Sequence, residues 1–262
     1  MSDWSPSLYA RFGGLRRRPA LDLLAQVGGL PEGDVVDLGC GNGAAGPALA
    51  ARFAGRGILG LDASPAMLSE AAATGVYADC QQADVAAWTP ARAPALIFSN
   101  AVLHWLPDHA ALLPRLAGFL APGGTLAVQM PRQHGAPSHR FLRDFAAEMF
   151  PDRFDGAAWQ PPVLAAPDYL RLLAPLGQAD VWETEYVQRL GANGTGHPVR
   201  RFTEATAMRP YLEKLSAPEA AAYVARYDAA LAAAYPAEAD GSVLFPFRRL
   251  FFTLRRHAAA AA

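Results

Sequence analysis

Three glycines alternate in the stretch VVDLGCGNG, at Gly39, Gly41 and Gly43, and an acid, Asp37, stands just ahead of them. Glycines where a strand turns into a helix let the backbone take positive φ and come close to a ligand. Dinucleotide sites use such a turn to present a helix N-terminus to a pyrophosphate. An acid inside the strand is a poor neighbour for a diphosphate and a good one for an ammonium or a sulfonium. The spacing is G-x-G-x-G and not the G-x-G-x-x-G of dinucleotide sites. Charge and spacing together favour S-adenosyl-L-methionine (SAM) over NAD.

Two more acids extend the series. Asp62 closes GILGLDAS at about twenty residues beyond the glycine turn, the distance expected of a ribose-binding acid. Its carboxylate only accepts hydrogen bonds, which suits a pair of ribose hydroxyls. Asp84, in ADVAAW, could accept from an adenine amino group while the Val85 N–H serves a ring nitrogen. Capping the following turn is the competing role for Asp84. Three acids at three successive strand ends mark the carboxyl edge, where open α/β sheets bind ligands.

The pattern of elements supplies those strand ends. VVDLGC reads as a strand buried on both faces, and GAAGPALAARFA as a helix with Pro47 in its first turn. GILGLDAS is a second strand, followed by a helix with Ser64 as N-cap and Pro65 at its first position. CQQADVAAW, ALIFSNAVLHWL and TLAVQMP give three more strands, and RPALDLLAQVG and DHAALLPRLAGFLAPGG give helices. This alternation implies right-handed crossovers and a doubly wound sheet. Beyond Pro131 the pattern turns irregular, with helices in SHRFLRDFAAEMF and APDYLRLLAPLG and a block over 199–235 broken at Pro210 and Pro218. ADVWETEYVQRL and VLFPFRRLFFTLRR complete seven strands. The expected fold is α/β: a Rossmann-like, mostly parallel seven-stranded sheet with helices on both faces. It forms one domain over 1–262, and residues 136–165 and 191–240 are helical pieces capping the ligand edge.

The 262 residues carry a formal net charge of −1, which excludes a general nucleic-acid binder. Two cysteines, Cys40 and Cys80, make neither a metal cluster nor a secreted disulfide framework. No leader-like run opens the chain, and no stretch nears the ~20 apolar residues of a membrane span. The expectation is a cytoplasmic monomer acting on a small molecule, without metal, membrane or nucleic acid.

VVDLGCGNG, GLDASPAML, QADVAAW and LAPGGTLAVQMP resemble the successive motifs of class I SAM-dependent methyltransferases. SDWSPSLY, LHWLPD and RPYL narrow the resemblance to the trans-aconitate 2-methyltransferase family, across most of the chain. The resemblance implies that Gly39 and Gly41 line the methionine end of SAM with Asp37 near its ammonium. Asp62 takes the ribose, Ala63 and Ser64 border the adenosine, and Asp84 and Val85 hold the adenine with Met67 packed on it. Asn100 lines the pocket through its backbone, and Tyr9 and Arg18 close over the methionine carboxylate.

The implied reaction converts one carboxylate of a small polycarboxylic acid into a methyl ester, releasing S-adenosyl-L-homocysteine. A carboxylate, with a pKa of about 4, is already ionised, so no catalytic base is expected. The non-reacting carboxylates need cationic forks and hydroxyl donors. Arg209 and Tyr211 of MRPYL are the leading candidates, with His104 and Trp105 flanking the methyl path and His134 and Tyr186 nearby. The sequence departs from the family pattern at His104, where an amide is usual. It also lacks a glycine ahead of MRPYL and a tryptophan after QMP, and RLGANGTGHPVRRF is unusually glycine-rich. All four departures lie on the acceptor side, which keeps another small-molecule acceptor open. An NAD-dependent oxidoreductase and a non-catalytic SAM-binding protein are the remaining alternatives.

Overall fold

The computed structural model describes residues 13–156, 161–204 and 206–257. Its strands are β1 (Val35–Leu38), β2 (Ile58–Asp62), β3 (Asp79–Gln82), β4 (Leu96–Asn100), β5 (Thr125–Pro131), β6 (Gly177–Leu190) and β7 (Val243–Arg256). They form one seven-stranded sheet in the order β3-β2-β1-β4-β5-β7-β6. β1 lies parallel to β2 and β4, β2 to β3, and β4 to β5, whereas β7 runs antiparallel to β5. All four β1 residues are buried, as a strand covered on both faces must be. The reversal in strand order at β1 is where such sheets open a ligand crevice.

Helices α1 (Gly13–Ala25), α2 (Gly46–Arg52), α3 (Pro65–Ala73) and α4 (His109–Phe119) follow the expected alternation. α3 begins as its sequence dictates. The Ser64 hydroxyl accepts from Met67 N at 3.3 Å, and Pro65 occupies the first turn, where a missing N–H costs nothing. The fourth strand is shorter than its apolar run. It stops at Asn100 because Ala101 takes φ 59°, a left-handed conformation that ends the ladder, and Leu103–Trp105 form a short 3-10 turn.

The described residues cluster into two compact units. One takes the chain up to Pro131 with Pro162–Thr184 and the residues from Arg249 on; the other comprises Arg132–Pro161 and Glu185–Arg248. In the first, Leu126, Val128, Met130, Leu250 and Phe252 share a core with Leu112, Leu113 and Leu116 of α4. α6 (Ala166–Leu173) belongs to the same unit, and its Tyr169 hydroxyl lies 2.5 Å from His109 Nδ1.

The second unit is built on α5 (Pro137–Met149), α7 (Pro198–Glu204), α8 (Arg209–Leu212) and α9 (Ala217–Ala234). Two buried tyrosines of α9 tie it to α5, Tyr223 donating to Leu142 O at 2.7 Å and Tyr227 to Ser138 O at 2.6 Å. α9 starts with a capping box between Ser216 and Glu219. Among the described residues no helix is long and apolar enough to cross a membrane.

Candidate active site

The glycine turn is tied to β2 by backbone donors. Gly39 N and Cys40 N both reach Leu61 O, at 2.7 and 2.8 Å. Gly39 has φ +77°, and a Cβ there would overlap Val102. Gly41 has φ +53°, and a Cβ there would meet no atom within 4 Å. The two glycines therefore do different work. Gly39→Ala should lower thermal stability through strain and overlap, whereas Gly41→Ala should cost only about 1–2 kcal/mol of fold. If the open space over Gly41 is the ligand's, Gly41→Ala also weakens SAM binding; thermal melts and calorimetry separate the two effects.

Asp62 fixes this turn from the next strand. Its Oδ2 accepts from Gly41 N at 2.8 Å and its Oδ1 from Ser64 N at 2.9 Å. Each oxygen keeps a second lone pair, which remains available to a hydroxyl. Asp62 is thus both a strut of the loop and an acceptor.

Asp37 is buried in β1, and Tyr77 donates its phenol to Asp37 Oδ2 at 2.7 Å. Burial pushes the Asp37 carboxyl up to about 7; the Tyr77 hydroxyl opposes this and the Asp62 charge adds to it. The Tyr77 phenol is itself driven far up by burial and by Asp37, so it stays a donor. Its ring fills a slot left by missing side chains, because a Cβ on Gly46 or Gly60 would come within 2.8 or 2.9 Å of it. Tyr77 escaped the sequence reading, although Gly46 and Gly60, glycines inside regular elements, pointed to a bulky neighbour.

Asp84 is exposed at the turn after β3. Its Oδ1 accepts from Ala86 N at 2.9 Å and its carbonyl from Trp88 N at 2.8 Å, so it does cap a turn. The other carboxylate oxygen and the Val85 N–H have no partner among the described residues. Arg115 holds this turn, donating to Val85 O at 2.9 Å and Trp88 O at 2.8 Å. Met67 is buried, and Ala63 is exposed, its carbonyl accepting from Gln82 Nε2 at 3.2 Å. At Asn100 the expected contact is the backbone's, and the side-chain Oδ1 is buried without a hydrogen-bond partner.

The structure brings Asp37, Gly39, Gly41, Asp62 and Ser64 together through the contacts above. The rings of His104 and Trp105 pack against each other, centroids 4.6 Å apart, on the turn after β4. Trp105 is 49% exposed, so it is not a core side chain. Arg18 is exposed on α1 and lies 3.7 Å from Asp22. Tyr9 falls outside the described residues.

The remaining candidates belong to the second unit. Arg209 Nη2 lies 3.6 Å from Glu213 Oε1 on α8 and its extension. The Tyr211 ring packs on Phe154 and Tyr223, at 5.5 and 6.1 Å. Tyr186 is buried on β6. Burial lowers the pKa of His134, and the charges of Arg132 and Arg143 lower it further. Arg143 also acts on Tyr211, whose phenol burial raises and Arg143 lowers. Arg143 is therefore a charged neighbour of two nominated residues, masked in the sequence by its place in the amphipathic run SHRFLRDF.

The cation-attracting acids and the open space over Gly41 fit a nucleoside that carries an ammonium and a sulfonium. Residues 11–164 match the family described as Methyltransferase domain. Over 260 residues the chain is 47% identical to a trans-aconitate 2-methyltransferase of Methylobacterium nodulans, covering 98% of this chain and 99% of the relative. It is 39% identical over 260 residues to a trans-aconitate 2-methyltransferase of Escherichia coli, with the same shares covered. Among solved structures, the YcgJ protein of Bacillus subtilis gives a TM-score of 0.57 at 14% identity, covering 92% of this chain and 99% of that one. Phosphoethanolamine N-methyltransferase 2 of Haemonchus contortus, solved with S-adenosyl-L-methionine, gives 0.52 at 17% identity, covering 92% of this chain and 53% of that one. At these identities the two structures show a shared fold.

Proposed function

This chain belongs to the trans-aconitate 2-methyltransferase family, and we propose that it methylates a carboxylate of trans-aconitate, giving a monomethyl ester. It is a SAM-dependent methyltransferase. One observation carries the cofactor side of this function: the buried Asp37 carboxylate beside the open turn at Gly41.

When bound, SAM supplies an electrophilic methyl group on a sulfonium. Asp37 holds the ammonium at the methionine end, where Gly39 and Gly41 keep the backbone low. Asp62 offers the ribose its spare lone pairs, and Ala63 and Ser64 border the adenosine. Asp84 and Val85 hold the adenine edge with Met67 against it. Asn100 lines the pocket, and Tyr9 and Arg18 are assigned to the methionine carboxylate.

On the acceptor side, Arg209 and Tyr211 bind the carboxylates that do not react. His134 and Tyr186 add polar edges, and His104 and Trp105 flank the methyl path. We take residues 136–165 and 191–240 as the helical pieces carrying acceptor-side groups. The acceptor arrives ionised, so the protein orients it and excludes water, and no residue has to act as a base. Meeting a cation, the anion loses charge as it reacts, which a dry site favours. The same reading takes the protein as a cytoplasmic monomer with no nucleic-acid role, the last supported by its net charge of −1.

Arg209→Ala should raise the acceptor KM about tenfold or more while leaving SAM affinity unchanged, since it removes charge-assisted bonds to the acceptor alone. Steady-state kinetics and calorimetry check both halves. The carboxylate assignment is tested by kcat against pH at saturating SAM and trans-aconitate. A flat profile between pH 6.5 and about 9 is expected, because an acid with a pKa of about 4 stays ionised throughout. A rising basic limb would mean that a hydroxyl is being deprotonated, and hence a different acceptor.

A further inference from the structure

Across three adjacent strands of the first unit runs a buried row of polar side chains, which the cofactor assignments leave unused because they take only the backbone of Asn100. Asn100, the last residue of β4, is in register with Gln129 of β5, and Arg249 of β7 stands opposite Pro131, the last residue of β5. All three therefore lie at the carboxyl edge of the parallel strands, as Asp37 and Asp62 do. Gln129 is also in register with Phe251, so strand alternation puts Arg249, two residues from Phe251, on the face shared by Gln129 and Asn100. The opposite face is the apolar one, formed by Val128, Met130, Leu250 and Phe252.

Gln129 is fully buried and Arg249 is 3% exposed. Arg249 Nη1 donates to Gln129 Oε1 at 3.2 Å. Gln129 Nε2 and Asn100 Oδ1 have no hydrogen-bond partner. Orphaned polar atoms of this kind burden a fold; such groups are retained where a ligand satisfies them. The next residue, Ala101, holds a left-handed φ of 59°, the backbone strain found at ligand sites.

We propose that Gln129 and Arg249, with Asn100, form a second carboxylate subsite for the acceptor. Gln129 Nε2 and the Arg249 guanidinium donate to one non-reacting carboxylate. The Asn100 amide, whose two ends are interchangeable by rotation, turns its NH2 to the same group. This subsite rests on the carboxylate-acceptor function and adds to it a second anchor, which suits an acid carrying three carboxylates.

Gln129→Glu is the decisive variant. Its new carboxylate pairs with Arg249, so the melting temperature should hold or rise and S-adenosyl-L-homocysteine binding should stay within about twofold. Trans-aconitate affinity for the homocysteine-loaded enzyme, and the reciprocal of its KM, should fall about a hundredfold, because the subsite then carries a competing anion. Gln129→Leu serves if the first variant folds poorly: it keeps the volume and removes the orphaned N–H, but it also removes the acceptor of Arg249 Nη1, so the melting temperature should drop somewhat while trans-aconitate binding weakens about tenfold in the folded protein. Normal trans-aconitate affinity in either folded variant overturns the subsite. If wild-type enzyme esterifies trans-aconitate and the variants do so with normal KM, only the subsite fails. If wild-type enzyme esterifies no carboxylic acid, the proposed function fails and the subsite falls with it.

Discussion

Asp62→Ala is expected to weaken SAM binding by about a hundredfold or more, since hydrogen bonds to a charged group each contribute about 1.5–3 kcal/mol. The loss has two parts. The cofactor forfeits its ribose acceptor, and the loop forfeits the bonds from Gly41 N and Ser64 N, at 2.8 and 2.9 Å. Asp62→Asn divides them. One amide oxygen can still accept from one loop donor, but the NH2 confronts the other, so stability recovers partly and affinity little. Calorimetric titration with S-adenosyl-L-homocysteine, beside thermal melts, reads both quantities. Unchanged affinity in Asp62→Ala would remove Asp62 from the cofactor site.

SAM affinity should also change with pH in a direction set by Asp37. The folded carboxyl titrates at about 7 against an ordinary 3.8, burial being the main cause. Between those values the unfolded chain has already lost this proton while the ligand-free fold keeps it. The contribution of Asp37 to ligand-free stability therefore falls as pH rises from about 4 to 7 and is flat above. Cofactor binding runs the other way, because an ammonium favours the ionised acid. Affinity should climb about tenfold per pH unit below 7 and level off above it, with a proton released on binding at pH 6. Cys40 and Asp62 also face this carboxyl; burial drives the Cys40 thiol far up, so it stays neutral here. Tyr77→Phe removes the 2.7 Å bond that favours the ionised form, so the pH dependence should move to higher pH and affinity at pH 7 should drop. Asp37→Asn should abolish the slope and bind weakly at every pH. A pH-independent affinity in the wild type would separate Asp37 from the ammonium.

Local chemistry made much of this legible. β1 and β2 are apolar runs interrupted only by their acids, and Ser64-Pro65 is a helix start with a mechanism, so the two strands form within the runs read for them and the helix starts where expected. The acids at 37, 62 and 84 were visible because their spacing follows from strand and helix lengths. Contacts distant in sequence were not. Tyr77 reaches Asp37 across 40 residues, and its place is set by what Gly46 and Gly60 lack. Arg249 meets Gln129 across 120 residues only because β7 inserts antiparallel beside β5, a register no local pattern encodes. The early end of β4 was hidden because Ala101, an alanine in a left-handed conformation, carries no sequence signal.

The most direct test is a one-pot competition. Purified protein is given isotopically labelled SAM with equal concentrations of trans-aconitate, cis-aconitate, isocitrate and citrate, and the methylated acids are separated by mass and by base lability. A trans-aconitate monomethyl ester should dominate, with one S-adenosyl-L-homocysteine formed per ester. Label on another acid would leave the carboxyl chemistry and overturn the acceptor. Firm SAM binding with no base-labile label on any acid would contradict carboxylate methylation itself.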